Sequence, residues 1–166
     1  MPDIRLIPSD VSGSLTFDWL QTPVGLLDET EQLASAVLVA LNTDALADET
    51  EVLPDPRDSD RRGWWGDMDA ERIWGGWPIG SKLWLLTRAK IVDRGAREGA
   101  TVTRVERYVR DALKPLIDAG VCSKVAVSAS QTSDKRITAT VVIYRGPKPV
   151  VQLQYEPLWQ EIFPGS

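Results

Sequence analysis

The densest run of chemistry-bearing side chains in this sequence is Arg61-Arg62-Gly63-Trp64-Trp65-Gly66-Asp67. Paired indoles offer flat faces on which sugars or bases stack, and arginine adds a partner for an anion. Asp67 would then hold a hydroxyl or a metal. The same residues also suit a mini-core, in which the glycines let the chain turn, the indoles pack and Arg62 pairs with Asp67. We take this packing reading first. Between the two lies a docking surface, because tryptophan is concentrated at the energetic centres of protein interfaces.

Carboxylates come in close pairs: Glu49 and Glu51, Asp58 and Asp60, Asp67 and Asp69. A glycosidase needs two of them roughly 5–9 Å apart. However, 24 acidic residues supply such pairs by number alone. The sequence contains no histidine and only one cysteine, Cys122. That removes Ser-His-Asp and Cys-His catalysis, histidine metal sites, thiolate cages and any intrachain disulfide. The glycines of GGWPIG (75–80) are not followed by the GK[ST] of a phosphate loop. We therefore assign no catalytic, cofactor-binding or metal-binding residue and expect a protein that is not an enzyme. The alternative is a small carboxylate-dependent cell-wall hydrolase.

Charge narrows the partners. A net charge of −5 and a pI near 4.8 argue against nucleic acid, which calls for a basic face. The nearest basic groups, Arg61-Arg62 and Arg104, Arg107 and Arg110, stand beside acidic residues. No apolar run approaches the roughly 20 residues of a membrane span. The N-terminal MPDIRLIPSD lacks the pattern of a secretion signal, so we expect a chain made and kept in a cytoplasm.

These residues must be positioned by a chain of 166 residues, which is the length of one ordinary domain. A short strand is expected at 3–7 and an extended arm at 8–27, with an apolar patch at Phe17, Trp19 and Leu20. A helix follows at 28–42, capped by Asp28 with Glu31 three residues on. Its run from Leu33 to Leu41 is apolar nearly all round, which implies burial on most sides. Residues 43–63 are polar, acidic and interrupted by prolines, and read as a loop or mobile segment with room for one helical turn at 44–48. Residues 63–80 hold five glycines, four tryptophans and one proline, which predicts a compact loop packed by its own indoles.

A second helix is expected at 81–91, capped by Ser81, and a third at 101–118, capped by Thr101. The third carries an apolar stripe from Val102 to Ile117, a kink or end at Pro115 and a stop at Gly120. The period then falls to two. Residues 121–129 and 137–144 form a β-hairpin around a turn at 131–135. Residues 150–155 offer a further strand, and 157–163 a short amphipathic end. Helices first and strands later make an α+β protein with about three helices and a C-terminal antiparallel hairpin, with candidate strands added at both ends.

The strings DPRDSDRRGWWGD and GSKLWLLTRAK, the helix ending in ALKPLIDAGV and the hairpin after it resemble the gene-product-46 family of Mu-like phages. That family is similar to the gene-25-type baseplate wedge proteins of contractile tails. The resemblance covers roughly residues 15–145. It implies a non-catalytic virion component at the tail baseplate, assembled in the host cytoplasm. Its implied partners are other wedge proteins, the tail sheath, and tube or hub proteins. The implied role is to join wedge subunits and help attach the first sheath ring. The chain would form a single wedge-like domain over 1–166, less ordered at 1–27 and extended at 146–166.

The candidate partner contacts follow from surplus hydrophobicity. Leu33, Val37 and Leu41 on the first helix, with Arg62, Trp64, Trp65, Asp67 and Trp84 from the indole region, are assigned to wedge contacts. Val141, Ile143 and Leu153, on strands that can extend a partner's sheet, are assigned to tail or sheath contacts.

Overall fold

The computed structural model describes residues 6–11, 14–19, 32–55, 57–74, 76–87, 100–131 and 137–155. It has the α+β architecture expected. Helix α1 (Gln32–Asn42) and helix α3 (Ala100–Asp118) underlie an antiparallel sheet of three strands in the order β3 (Lys124–Gln131), β4 (Ile137–Arg145), β5 (Lys148–Tyr155). A separate hairpin pairs β1 (Leu6–Val11) with β2 (Ser14–Trp19). Part of the region read as an extended arm is thus a two-stranded ribbon. Pro8 lies in β1 opposite Phe17, a position tolerated because a ribbon leaves an outer edge on each strand.

The alternation in the sequence becomes the two faces of the sheet. Ile137, Ala139, Val141 and Ile143 of the central strand β4 are at most 1 % exposed. Burying each of these Val or Ile side chains contributes roughly 1.5–3 kcal/mol. Their neighbours in register, Val125, Val127 and Ala129 on β3 and Val151 and Leu153 on β5, cover the same core. A register shift at Ile143/Tyr144 marks the start of the turn into β5.

Helix α3 lies under β3 and buries Val105, Tyr108, Val109, Leu113 and Leu116. Of the expected stripe, Ile117 faces outward at the end. Pro115 does not stop this helix. It sits in the last turn, where its missing N–H deprives only the Asp111 carbonyl of a helical bond, and helix continues to Asp118. Gly120, at φ +70°, is the stop as read, and the Val121 N–H returns to the Leu116 carbonyl in a Schellman closure. Thr101 falls inside the helix instead of capping it. Cys122 is buried, as a small core residue.

Helix α1 ends at Asn42 as expected, and its proposed caps Asp28 and Glu31 lie outside the described residues. It is not buried all round: Val37 and Leu41 enter the core, while Val39 is exposed. The second helix expected at 81–91 is only a 3-10 turn, Lys82–Leu86, and its continuation past Thr87 lies outside the described residues. Ser81 does not cap it; the hydroxyl donates to the Leu41 carbonyl at 2.9 Å. Also outside are residues 132–136 of the hairpin turn and residues 157–163.

Candidate functional site

Residues 43–63 do not form a helical turn at 44–48. They run alongside the segment leading into the 3-10 turn and are stitched to it by backbone hydrogen bonds. Ser81 N–H donates to the Thr43 carbonyl (2.9 Å), and Ala45 N–H donates to the Ser81 carbonyl (3.0 Å). These close a single parallel bridge between Asp44 and Ser81. Farther along, Ala47 N–H donates to the Arg61 carbonyl. The Arg61 guanidinium reaches back to the carbonyls of Asp48 and Glu49. A polar segment without helix or strand thus satisfies much of its backbone through the arginine fork, the bridge and short-range turns, in which the Asp48, Arg57, Asp60 and Arg62 N–H groups donate to nearby carboxylates.

Lys82 pins the segment from beneath. Its ammonium lies 2.6 Å from Asp48 and 2.9 Å from Glu51, with about a quarter of its side chain exposed. Burial pulls the Lys82 pKa down, but the hydrogen bonds and charges of the two carboxylates outweigh it and hold the group above its ordinary value.

The indoles are divided between core and surface. Trp84 is 5 % exposed and donates its Nε1–H to the Ala45 carbonyl at 2.8 Å. Trp64 and Trp65 are in contact, with ring centroids 5.6 Å apart and planes tilted by 52°. Trp64 folds over Gly66, where a Cβ would stand 2.5 Å from the indole ring. Trp65 is 79 % exposed. The expected mini-core therefore exists, but one of its rings is left in water. The chain here also takes more regular form than the glycines suggested, with a 3-10 turn at Trp65–Asp67 and a short helix α2 at Ala70–Trp74.

The expected pairing of Arg62 with Asp67 is replaced by two others. Arg62 lies 2.6 Å from Asp44 and stacks over the Trp84 ring at 4.6 Å. Asp67 Oδ1 accepts the Ile79 N–H at 2.8 Å and closes the loop that carries Trp77 and Pro78. The bridge to Ser81 brings Asp44 to Arg62, a long-range contact invisible to local spacing.

These segments enclose a cleft of about 730 Å³. Leu46, Trp64, Trp65, Met68 and Pro78 form its walls, and Tyr108 and Ala112 of α3 belong to its floor. Leu46 and Met68 are 63 % and 76 % exposed, so the walls are apolar surface facing solvent. Two contributors, Leu46 and Met68, were not singled out from the sequence. Isolated apolar residues in a polar loop carry no periodic signal.

Other candidate contact residues are placed differently. Val37, Leu41, Trp84, Val141 and Ile143 pack inside the chain's own core, and Leu33 and Leu153 are partly buried against it. The structure gathers Arg62, Trp64, Trp65 and Asp67 at the cleft and leaves the helical and strand residues apart from it. Among the described residues there is no group of three or more His, Cys, Asp or Glu placed to hold a metal ion. No helix among them is long and apolar enough to cross a membrane.

The family model described as "Phage protein GP46" matches residues 33–149, from α1 into β5 and including the whole cleft. Baseplate protein gp46 of Escherichia phage Mu is 37 % identical over 131 residues, 79 % of each chain. Mu-like prophage FluMu protein gp46 of Haemophilus influenzae is 33 % identical over 130 residues, covering 78 % of this chain and 77 % of that protein. On the extent of these matches, the chain belongs to the phage GP46 family.

Proposed function

We propose that this chain is a structural component of a phage tail baseplate that joins wedge subunits and helps attach the first sheath ring, without catalysis. The observation that carries the reading is the likeness to the Mu baseplate protein over four-fifths of the chain, coupled with a solvent-facing aromatic cleft on an otherwise well-packed fold. Contiguous exposed apolar surface of this kind marks an interaction site. Two of its carboxylates are engaged within the chain: Asp48 pairs with Lys82, and one oxygen of Asp67 accepts a backbone N–H.

Wedge contacts belong on this reading to Trp64, Trp65 and their neighbours. Sheath or tube contacts belong to the sheet, where β5 is the edge better suited to strand addition, since the outer edge of β3 is tied to α3. The test is deletion of the gene from an inducible prophage, with the composition of purified tails read by mass spectrometry. The reading expects the chain in wild-type particles and no sheathed tails without it. Normal tails from the deletion strain would sink it.

A further inference from the structure

The cleft has a charge pattern that its apolar walls do not explain. Residues 44–82, which build nearly all of it, hold ten carboxylates against five basic side chains, so they carry the entire formal −5 of the chain. The basic groups lining the cleft are engaged, Arg62 with Asp44 and Lys82 with Asp48 and Glu51. Arg104 and Arg107 approach Tyr108 without lining the cleft. Among the described residues no basic side chain pairs with Asp67, Glu71 or Asp111. Asp67 and Asp111 line the cleft. A shallower depression beside it shares Asp67 and Pro78 and adds Ala70, Glu71 and the ion pair of Asp69 with Arg72 (2.9 Å), which leaves Glu71 as its unpaired addition. An exposed aromatic wall is thus rimmed by unbalanced negative charge.

We propose that this cleft receives a basic amphipathic segment of a partner protein, with an apolar or aromatic anchor between Trp65, Met68 and Leu46 and with lysines or arginines over Asp67, Glu71 and Asp111. The inference rests on the baseplate reading only for where the partner is found. Charge selects this occupant over the two available from the chain itself. The C-terminal residues 156–166 contain Leu158, Trp159, Ile162 and Phe163 but also Glu156 and Glu161 and no basic residue, so the rim repels them. A second copy would set one acidic rim against another. Opposite charge fixes orientation and speeds encounter, while the buried anchor supplies affinity.

The test uses the full chain, with Trp emission and calorimetry as readouts. The probes are a Leu/Lys amphipathic peptide containing one Trp, its Leu/Glu counterpart, and a peptide of residues 156–166. The Lys peptide is expected to bind and to weaken by about tenfold or more between low salt and 0.5 M salt. The Glu peptide is expected not to bind. Trp65→Ser with Leu46→Ser, both exposed positions, should abolish binding at unchanged Tm. Asp111→Asn with Glu71→Gln should keep the anchor but flatten the salt dependence.

Binding unaffected by Trp65→Ser and Leu46→Ser, or equal binding of both peptide signs, overturns the proposal. So does tighter binding of the 156–166 peptide, or self-association lost with Trp65→Ser. Titration with a chitin oligosaccharide that moves Trp65 emission where the Lys peptide does not would make the cleft a sugar site instead. Tails carrying the Trp65→Ser, Leu46→Ser chain at wild-type level would sink this proposal and leave the baseplate reading standing. Absence of the wild-type chain from tails would sink the latter alone.

Discussion

Glu106 Oε1 accepts the backbone N–H of Ala129 at 2.8 Å, joining the first half of α3 to the outer edge of β3. That N–H lies outside the β3–β4 ladder, so a side chain on the neighbouring helix supplies the partner that an edge strand otherwise lacks. Glu106 thus locks α3 against the sheet and blocks strand addition at β3 near Ala129. Replacing it with Ala leaves this part-buried donor unpaired, at a cost of about 1–3 kcal/mol in denaturant unfolding. Glu106→Gln keeps an acceptor and should cost less. Amide exchange at Ala129 should accelerate in Glu106→Ala ahead of the β4 amides; equal protection in both variants would show that the contact is idle.

The Lys82 cluster sets the alkaline side of the stability curve. Its folded pKa lies above the ordinary 10.5, so the cluster's contribution is fully present below that value and is lost as pH rises through the folded value. Lys82→Met should cost roughly 1 kcal/mol near neutrality, since Asp48 and Glu51 lose their shared cation. The difference between wild type and variant should shrink as pH rises past 10.5 and through the raised folded value. A constant difference from pH 7 to 12 in urea midpoints would reject this assignment.

Gly80 stands where the two segments of the bridge come closest. Its φ is +125°, and a Cβ there would lie 2.7 Å from the Ala45 nitrogen and 2.9 Å from the Thr43 carbonyl oxygen. Both are backbone atoms, so no side-chain rotation relieves the clash. Gly80→Ala is expected to destabilise by about 3 kcal/mol and to loosen the Trp84–Ala45 hydrogen bond. A circular-dichroism melt checks the first and Trp emission the second. A melt within about 1 °C of wild type would refute it.

Arg62 makes one ion pair and one stacking contact, with Asp44 and Trp84. Arg62 and Asp44 are both partly exposed, so Arg62→Ala should cost only about 1 kcal/mol. Arg62→Lys should recover little of it, because an ammonium cannot lie flat on the indole while forking toward Asp44. Its signature is Trp84 emission, shifted to the red in both variants; an unchanged spectrum in Arg62→Ala would mean the stack is not formed in solution.

Periodicity by itself determined where the core elements lie. The stripe on residues 101–118, the stop at Gly120 and the alternation through 121–144 all became structure, because neighbours on a helix or strand face one way irrespective of what packs on them. It also determined which chemistry is missing, since no fold can supply a histidine. Of the kink or end expected at Pro115, the end does not occur: so near the terminus, a proline withholds a helical bond from only one carbonyl, that of Asp111, and helix runs on to Asp118.

Tertiary structure alone decided the cleft. Whether Trp84 is core and Trp65 surface, whether Arg62 answers Asp67 or Asp44, and how Leu46 and Met68 come to line one cleft all depend on the bridge between Asp44 and Ser81. That contact joins residues 37 positions apart in a segment with no period of its own. Local spacing encodes which way a regular element faces. It does not encode which distant carbonyl an irregular segment will find, because that choice is made by the whole packed chain.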